Sequence, residues 1–330
     1  MTAGANDLPI GVAIIGGGPA GLSAGLQLVR ANRRIAILDS NRPRHSATLQ
    51  SHGFLTRDGA SPLELRRLGR EEFEAYPTAQ YAQAITRSVE RLTEDEARAV
   101  GFPDGIGFRV RGTGIRGASD AEFIARRVLI AAGLTEQLPP LPMIRAYYGT
   151  ALHSCVECDG FEKTDKPLVL IGETADLFAR ALLISRFSSD LIVFTNGAET
   201  IRPEQEAQLN AIGIRVERRP IDDIVGEKAD MTGVRLADGE VIPRVGGFVR
   251  PHWNAPVEFM GSLEIDRDDW GLVVVDDRGE TSARGVYAVG DIVPPGPQQL
   301  IIAAGNGARV AAKLNMDMIR GALGVGMIDE

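Results

Sequence analysis

The chain has 330 residues, 44% hydrophobic and 24% charged, with 36 Lys plus Arg against 44 Asp plus Glu, a formal charge of −8. That composition excludes a disordered chain, and an acidic chain without a Lys/Arg block lacks the footprint of a nucleic-acid binder. No apolar run approaches the roughly 18 residues of a membrane span, the opening MTAGANDLPI does not read as a secretory leader, and two cysteines cannot staple a secreted scaffold; a cytoplasmic chain of roughly two domains is expected.

Residues 11–15 (GVAII) form a short β-branched run, read as a buried parallel strand. It ends in Gly16, Gly17 and Gly18, and residues 20–29 carry a helical pattern. Arg33 and Arg34 lead into a second buried strand, 35–38 (IAIL), which ends at Asp39. This is one strand–helix–strand unit. A weaker copy lies 156 residues further on, where Ile15-Gly16 falls on Ile171-Gly172 and the second strand falls on 191–194 (LIVF). Residues 175–187 supply the helix between them. The repetition predicts two nucleotide-binding-type units. Between the copies, 62–74 is a charged helix candidate and 88–128 alternates strands with polar turns. Residues 129–133 (LIAAG) are another buried strand, and Pro139, Pro140 and Pro142 read as a linker or hinge. Near the end, 285–291 (GVYAVGD) is a returning strand and 299–314 an Ala/Gly-rich helix. The first domain is therefore expected to be discontinuous, residues 1–138 plus 247–330, with 139–246 as an insert.

Gly16-x-Gly18-x-x-Gly21 sits at the first strand-to-helix junction, with Asp39 18 residues past Gly21. Gly16 permits the tight turn, Gly18 lets the backbone approach a pyrophosphate, and Gly21 lets the helix pack on the strand. Pro19 and Ala20 open the helix, whose free N–H groups favour an anion. Asp39 is placed to accept hydrogen bonds from ribose hydroxyls. Residues 281–291 (TSARGVYAVGD) resemble the second flavin signature of the flavoproteins with two dinucleotide domains. The resemblance implies FAD, with Asp291 on the ribityl chain and Gln299-Leu300 opening the segment that faces the flavin ring. Gly133 and Gly290 complete that cofactor-binding set.

The two cysteines lie in HSCVECDG, residues 153–160. A zinc site needs four ligands, and Cys155, Cys158 and His153 supply at most three locally. An inert buried pair requires coincidence. A redox dithiol is favoured, because a C-x-x-C pair closes a small loop and exchanges with substrate thiols. CVECDG followed by Phe161 resembles the active-site segment of the low-molecular-weight thioredoxin reductases. The order of segments along nearly the whole chain matches as well. The resemblance implies two Rossmann-like three-layer α/β domains of the FAD/NAD(P)-binding kind, the second inserted in the first. It implies that Cys158 contacts the isoalloxazine ring, that Cys155 attacks the substrate disulfide, and that Asp159 is the general acid. It also implies a homodimer, a rotation between domains, and a thioredoxin-like protein or a small dithiol/disulfide as substrate. His153 and His52 are lesser candidates beside them. The loop 51–59 (SHGFLTRDG) is more similar to a sub-branch that includes the dithiol oxidases of gliotoxin- and holomycin-type pathways.

Thioredoxin reductases bind NADPH through a second glycine fingerprint. Here that stretch reads Gly172-Glu173-Thr174-Ala175-Asp176-Leu177. Only the first glycine is kept, and two carboxylates stand where a pyrophosphate would lie, each opposing it. Residues 194–197 (FTNG) lack the arginine of the 2′-phosphate motif. Ordinary nicotinamide binding is expected to be lost. Three readings stay open: a reductase fed by ferredoxin or another donor, a dithiol oxidase using oxygen, and a flavin redox sensor. Acidic ferredoxin would need a basic patch, for which Arg42, Arg44 and Arg57, or Arg66, Arg67 and Arg70, are the candidates. No metal is expected.

Overall fold

The computed structural model describes residues 8–228, 230–261, 263–294 and 296–325; the opening residues 1–7, read above against a leader, lie outside them. The chain forms two compact units. One comprises the chain up to Arg44, Leu63–Thr135 and the chain from Asn254, and the other comprises His45–Pro62 and Glu136–Trp253. These bounds depart from the sequence reading at three places, the smallest being the break after Thr135 rather than 138. Of the larger two, the first is that residues 45–62 join the second unit, and the second is that the return to the first comes at Asn254 rather than 247. The second shift has a plain cause. Strand Gly246–Val249 is a central strand of the second unit, paired in parallel with Leu168–Ile171 on one side and Leu152–His153 on the other.

In the first unit a parallel sheet runs in the order Val286–Ala288, Ala121–Ile130, Ile10–Ile15, Ile35–Asp39, Ala79–Arg91. Ala79–Arg91 and Ala121–Ile130 are long enough to extend the sheet beyond its parallel part. Their far halves pair antiparallel with Phe108–Gly114 as a three-stranded meander. Val12, Ile14, Ile35 and Ile37 are wholly buried, which is why these strands read as unbroken apolar runs rather than alternating ones. Each such side chain contributes about 1.5–3 kcal/mol by burial.

The second unit repeats the plan. Its parallel order is Leu152–His153, Gly246–Val249, Leu168–Ile171, Leu191–Phe194, Arg215–Glu217, and its meander is Ile221–Glu227, Asp230–Leu236, Val241–Pro243. The register repeats too. Val12 pairs with Ile35 and Leu168 with Leu191, so both partners are shifted by the same 156 residues.

Helix Leu300–Leu323 runs nine residues beyond the expected end at 314 and stops at Gly324 in the left-handed region. Its buried face continues past Leu314 to Met318, so packing rather than composition sets its length. Gly307 lets it approach helix Pro19–Arg30, since a Cβ there would strike the Ala20 carbonyl. No helix among the described residues is long and apolar enough to cross a membrane.

Candidate functional site

The first unit presents a turn shaped for a dinucleotide. Gly16 has φ +110°, closed to ordinary side chains, and a Cβ there would collide with the Ala131 carbonyl. A Cβ at Gly21 would collide with the Gly16 carbonyl, which holds helix Pro19–Arg30 tight on strand Ile10–Ile15. Gly18 is different, because nothing among the described residues lies within 4 Å of where its Cβ would be. It precedes the helix in extended conformation and offers no side-chain cap, and Pro19 takes the first helical position. The helix N-terminus is thus left for an outside anion. Helix Leu300–Leu323 likewise starts after Gln299 without a side-chain cap. Gly133 and Gly290 both have positive φ, and the Gly290 N–H donates to Asn306 Oδ1 at 2.9 Å. These residues fit the FAD implied above. Replacing Gly18 by Ala is therefore expected to leave apoprotein melting within about 1–2 °C while weakening FAD retention at least tenfold. Gly21→Ala is expected to lower both, and thermal melting with flavin released on dialysis measures the pair.

The two acidic candidates of this unit have protein partners. Asp39 Oδ2 accepts a hydrogen bond from Tyr81 Oη at 2.5 Å and another from Arg66. Arg66 also donates to the Gly17 carbonyl at 3.1 Å and to Asn41 Oδ1 at 2.6 Å. Burial, reinforced by the Asp39 charge, pushes the Tyr81 phenol up, so it remains a donor. Asp291 pairs with Arg44 Nη2 at 2.7 Å. Such pairings take up four of the six arginines offered above for a basic patch. Arg44 and Arg66 are spent on these acids, Arg67 pairs with Glu64 and Glu71, and Arg70 pairs with Glu74. Sequence reasoning missed Tyr81, which the parallel register brings opposite Ile37, two residues before Asp39.

In the second unit Cys155 and Cys158 form a disulfide. Cys155 caps the short helix Val156–Asp159, its Sγ accepting the Cys158 N–H at 3.2 Å. A Cβ at Gly160 would meet the Phe187 ring at 2.6 Å, so this turn needs glycine. Asp159 follows directly, with Oδ1 3.4 Å from His153 Nε2. Burial pushes the Asp159 carboxyl up to about 6, with the Lys163 charge opposing. Burial, helped by Lys163, pushes His153 down to about 3, so this imidazole is neutral at pH 7. Lys163 itself is buried, 8% exposed, with its ammonium 6.0 Å from the Phe248 ring centre. Sequence reasoning missed it, although a Lys four residues past Asp159 is one helical turn away. His52 Nε2 lies 3.5 Å from Glu162 Oε1 and its Nδ1 3.6 Å from Asp58 Oδ1, which ties the 51–59 loop to the segment just after the cysteines. The arrangement supplies an exchangeable disulfide and a carboxyl group that can carry a proton near neutral pH.

The second glycine turn of this unit is filled from within. Thr174 donates to Asp176 Oδ1 at 2.7 Å. Arg180 Nε and Arg250 Nε lie 2.9 and 2.8 Å from Asp176 Oδ2. Glu173 Oε1 accepts from Asn196 Nδ2 at 2.7 Å. A Cβ at Gly172 would sit 2.8 Å from Arg250 Cβ and 2.9 Å from Leu177.

Comparison with known proteins agrees with this geometry. A family model described as pyridine nucleotide-disulphide oxidoreductase matches residues 10–307. A Bacillus anthracis structure assigned as a thioredoxin reductase, TrxB, is 34% identical with a TM-score of 0.84, covering 94% of this chain and 99% of its own. The structure of HlmI is 32% identical with a TM-score of 0.86, covering 96% and 94%. Thioredoxin reductase aclD of Aspergillus oryzae is 27% identical over 292 residues, 84% of this chain and 87% of its own. The family model and relatives that align almost end to end agree, and the chain belongs to the pyridine nucleotide-disulphide oxidoreductases as a thioredoxin reductase-like, FAD-dependent enzyme.

Proposed function

We propose that the protein exchanges electrons between FAD and a substrate dithiol or disulfide through Cys155 and Cys158, without NADPH at the second turn. The observation that carries the chemistry is the Cys155–Cys158 disulfide beside a carboxyl group raised to about 6. Gly16, Gly18, Pro19, Ala20, Gly21 and Asp39 would hold the ADP half of FAD. Gly133, Gly290, Asp291, Gln299 and Leu300 would hold the rest. Bound FAD would supply the two-electron partner for the thiols. In the reducing direction the Cys155 thiolate attacks a substrate sulfur, a mixed disulfide forms, and the leaving thiolate takes the proton of Asp159. Cys158 then attacks Cys155 Sγ, which closes the internal disulfide and releases the second substrate thiol. Two thiols are oxidised and one disulfide is reduced.

A thioredoxin-like protein or a small disulfide is the substrate on this reading, in a cytoplasmic homodimer. Ferredoxin as donor has less support, because Arg44, Arg66, Arg67 and Arg70 are already paired with acids. Anaerobic mixing of the yellow protein with NADPH, then NADH, tests the reading. At millimolar nucleotide the flavin absorbance is expected to persist, and a rapid bleach by NADPH would overturn it. The second reading is a dithiol oxidase, in which the same steps run backwards and oxygen is the final acceptor. It is favoured by the 51–59 loop, which clusters with the cysteines and reaches Glu162 through His52. Turnover of a small dithiol with oxygen and no added reductant would select it.

A further inference from the structure

The second unit keeps the backbone plan of a dinucleotide turn, with the first unit's strand order and its register shifted by 156 residues. Gly172 occupies the place of Gly16, and Leu177–Ile184 is the helix that follows. At the equivalent helix of the first unit glycine precedes the N-terminus and no side chain caps it. Here an acid stands in front of it. Asp176 directly precedes Leu177, and its side chain makes no hydrogen bond to the helix N–H groups. Both its oxygens are turned instead to side chains, Thr174 on Oδ1 and Arg180 and Arg250 on Oδ2. Arg180 comes from the first turn of the helix and Arg250 from the residue after strand Gly246–Val249. Two guanidinium groups converging on one oxygen at the mouth of such a turn are what a phosphate would otherwise receive. The partners outweigh burial and hold the Asp176 carboxyl below its ordinary range, so it stays anionic.

We infer that Asp176 is the residue that excludes nicotinamide dinucleotides, as a built-in anion that occupies the phosphate place and neutralises the two arginines that could receive a ligand there. This rests on the proposal that NADPH is not used, and it adds the cause. The rejection is then not a collapse of the fold. It is an occupation by one carboxylate, and removing that carboxylate exposes a site for a diphosphate-bearing anion. Glu173, tied to Asn196, flanks the turn without touching the arginine pair.

Isothermal titration of the FAD-loaded full-length protein with inorganic pyrophosphate, and separately with NADPH, tests this. Wild type is expected to give no saturable heat with either at millimolar ligand. Asp176→Ala is expected to bind pyrophosphate at least about tenfold more tightly than wild type, an effect that weakens with salt. Asp176→Asn keeps the shape and removes the charge, so it should fall between the two, and it carries the test if the alanine variant does not fold. Unchanged pyrophosphate binding in a folded variant would overturn the role of Asp176 and leave the NADPH-independent reading standing. Saturable NADPH binding to wild type would overturn both.

Discussion

Cys155→Ser and Cys158→Ser are each expected to lower thiol–disulfide turnover by roughly 10³-fold or more while the protein stays yellow and folded. A serine oxygen can neither form the mixed disulfide nor leave from it, so there is no slower version of the same route. The fold should hold because the 155–158 bridge closes a very short loop, which removes little entropy from the unfolded chain. The two variants should differ in one respect. With Cys155 as attacking sulfur, Cys158→Ser traps a mixed disulfide with an added substrate disulfide, and Cys155→Ser does not. Intact-mass measurement after incubation reads this directly. The reverse pattern would exchange the two roles. Turnover above about a tenth of wild type in either variant would remove the dithiol from the mechanism. A redox sensor predicts something else again, a reducible disulfide in a wild-type protein that turns over nothing.

The cysteine spacing and the first glycine turn were legible because each is a local pattern whose chemistry needs specific residues at fixed distances. The repeat was legible for a related reason. Residues 35–38 and 191–194 are wholly apolar because parallel strands are covered on both faces, and that leaves an unbroken run in the sequence. What lay hidden depends on contacts between distant segments. Nothing near residues 45–62 says that they belong with the cysteine unit. The link is the close approach of Ala47 to Gly149 and of His52 to Glu162. Asp39 could be read as a ribose acceptor, but Tyr81 and Arg66 reach it only through the sheet register and helix Pro62–Glu74. The sequence does not show that Arg44 and Arg66 are paired, because the acids that neutralise them are 247 and 27 residues away in the chain. The missing glycines of 172–177 could be read from residue types, whereas the approach of Arg250 to Asp176 could not.

Asp159→Asn is expected to lower turnover by about 10²-fold or more, because positioned proton transfer contributes on that scale. The wild-type pH profile carries further information. Burial raises the Asp159 carboxyl to about 6 from an ordinary 3.8. A protein reducing disulfides needs the protonated form, to give a proton to the leaving thiolate, so its rate falls as pH rises through about 6. A dithiol oxidase needs the carboxylate, to take a proton from the entering thiol, so its rate rises through the same region. His153 does not confuse the profile, since it is held neutral down to about 3. The sign of the limb near 6 therefore reports the direction of electron flow, and in Asp159→Asn that limb should vanish. Stability gives an independent reading of the same group. With the folded value above the unfolded one, the contribution of protonated Asp159 is full below about 3.8 and is lost as pH rises through about 6. Asparagine cannot ionise, so Asp159→Asn should melt higher than wild type at pH 8 and close to it at pH 4. A variant that loses turnover but keeps both the limb and the wild-type melting difference would show that the proton is carried elsewhere. His52 would then be the next group to test, since it reaches Glu162 beside the same segment.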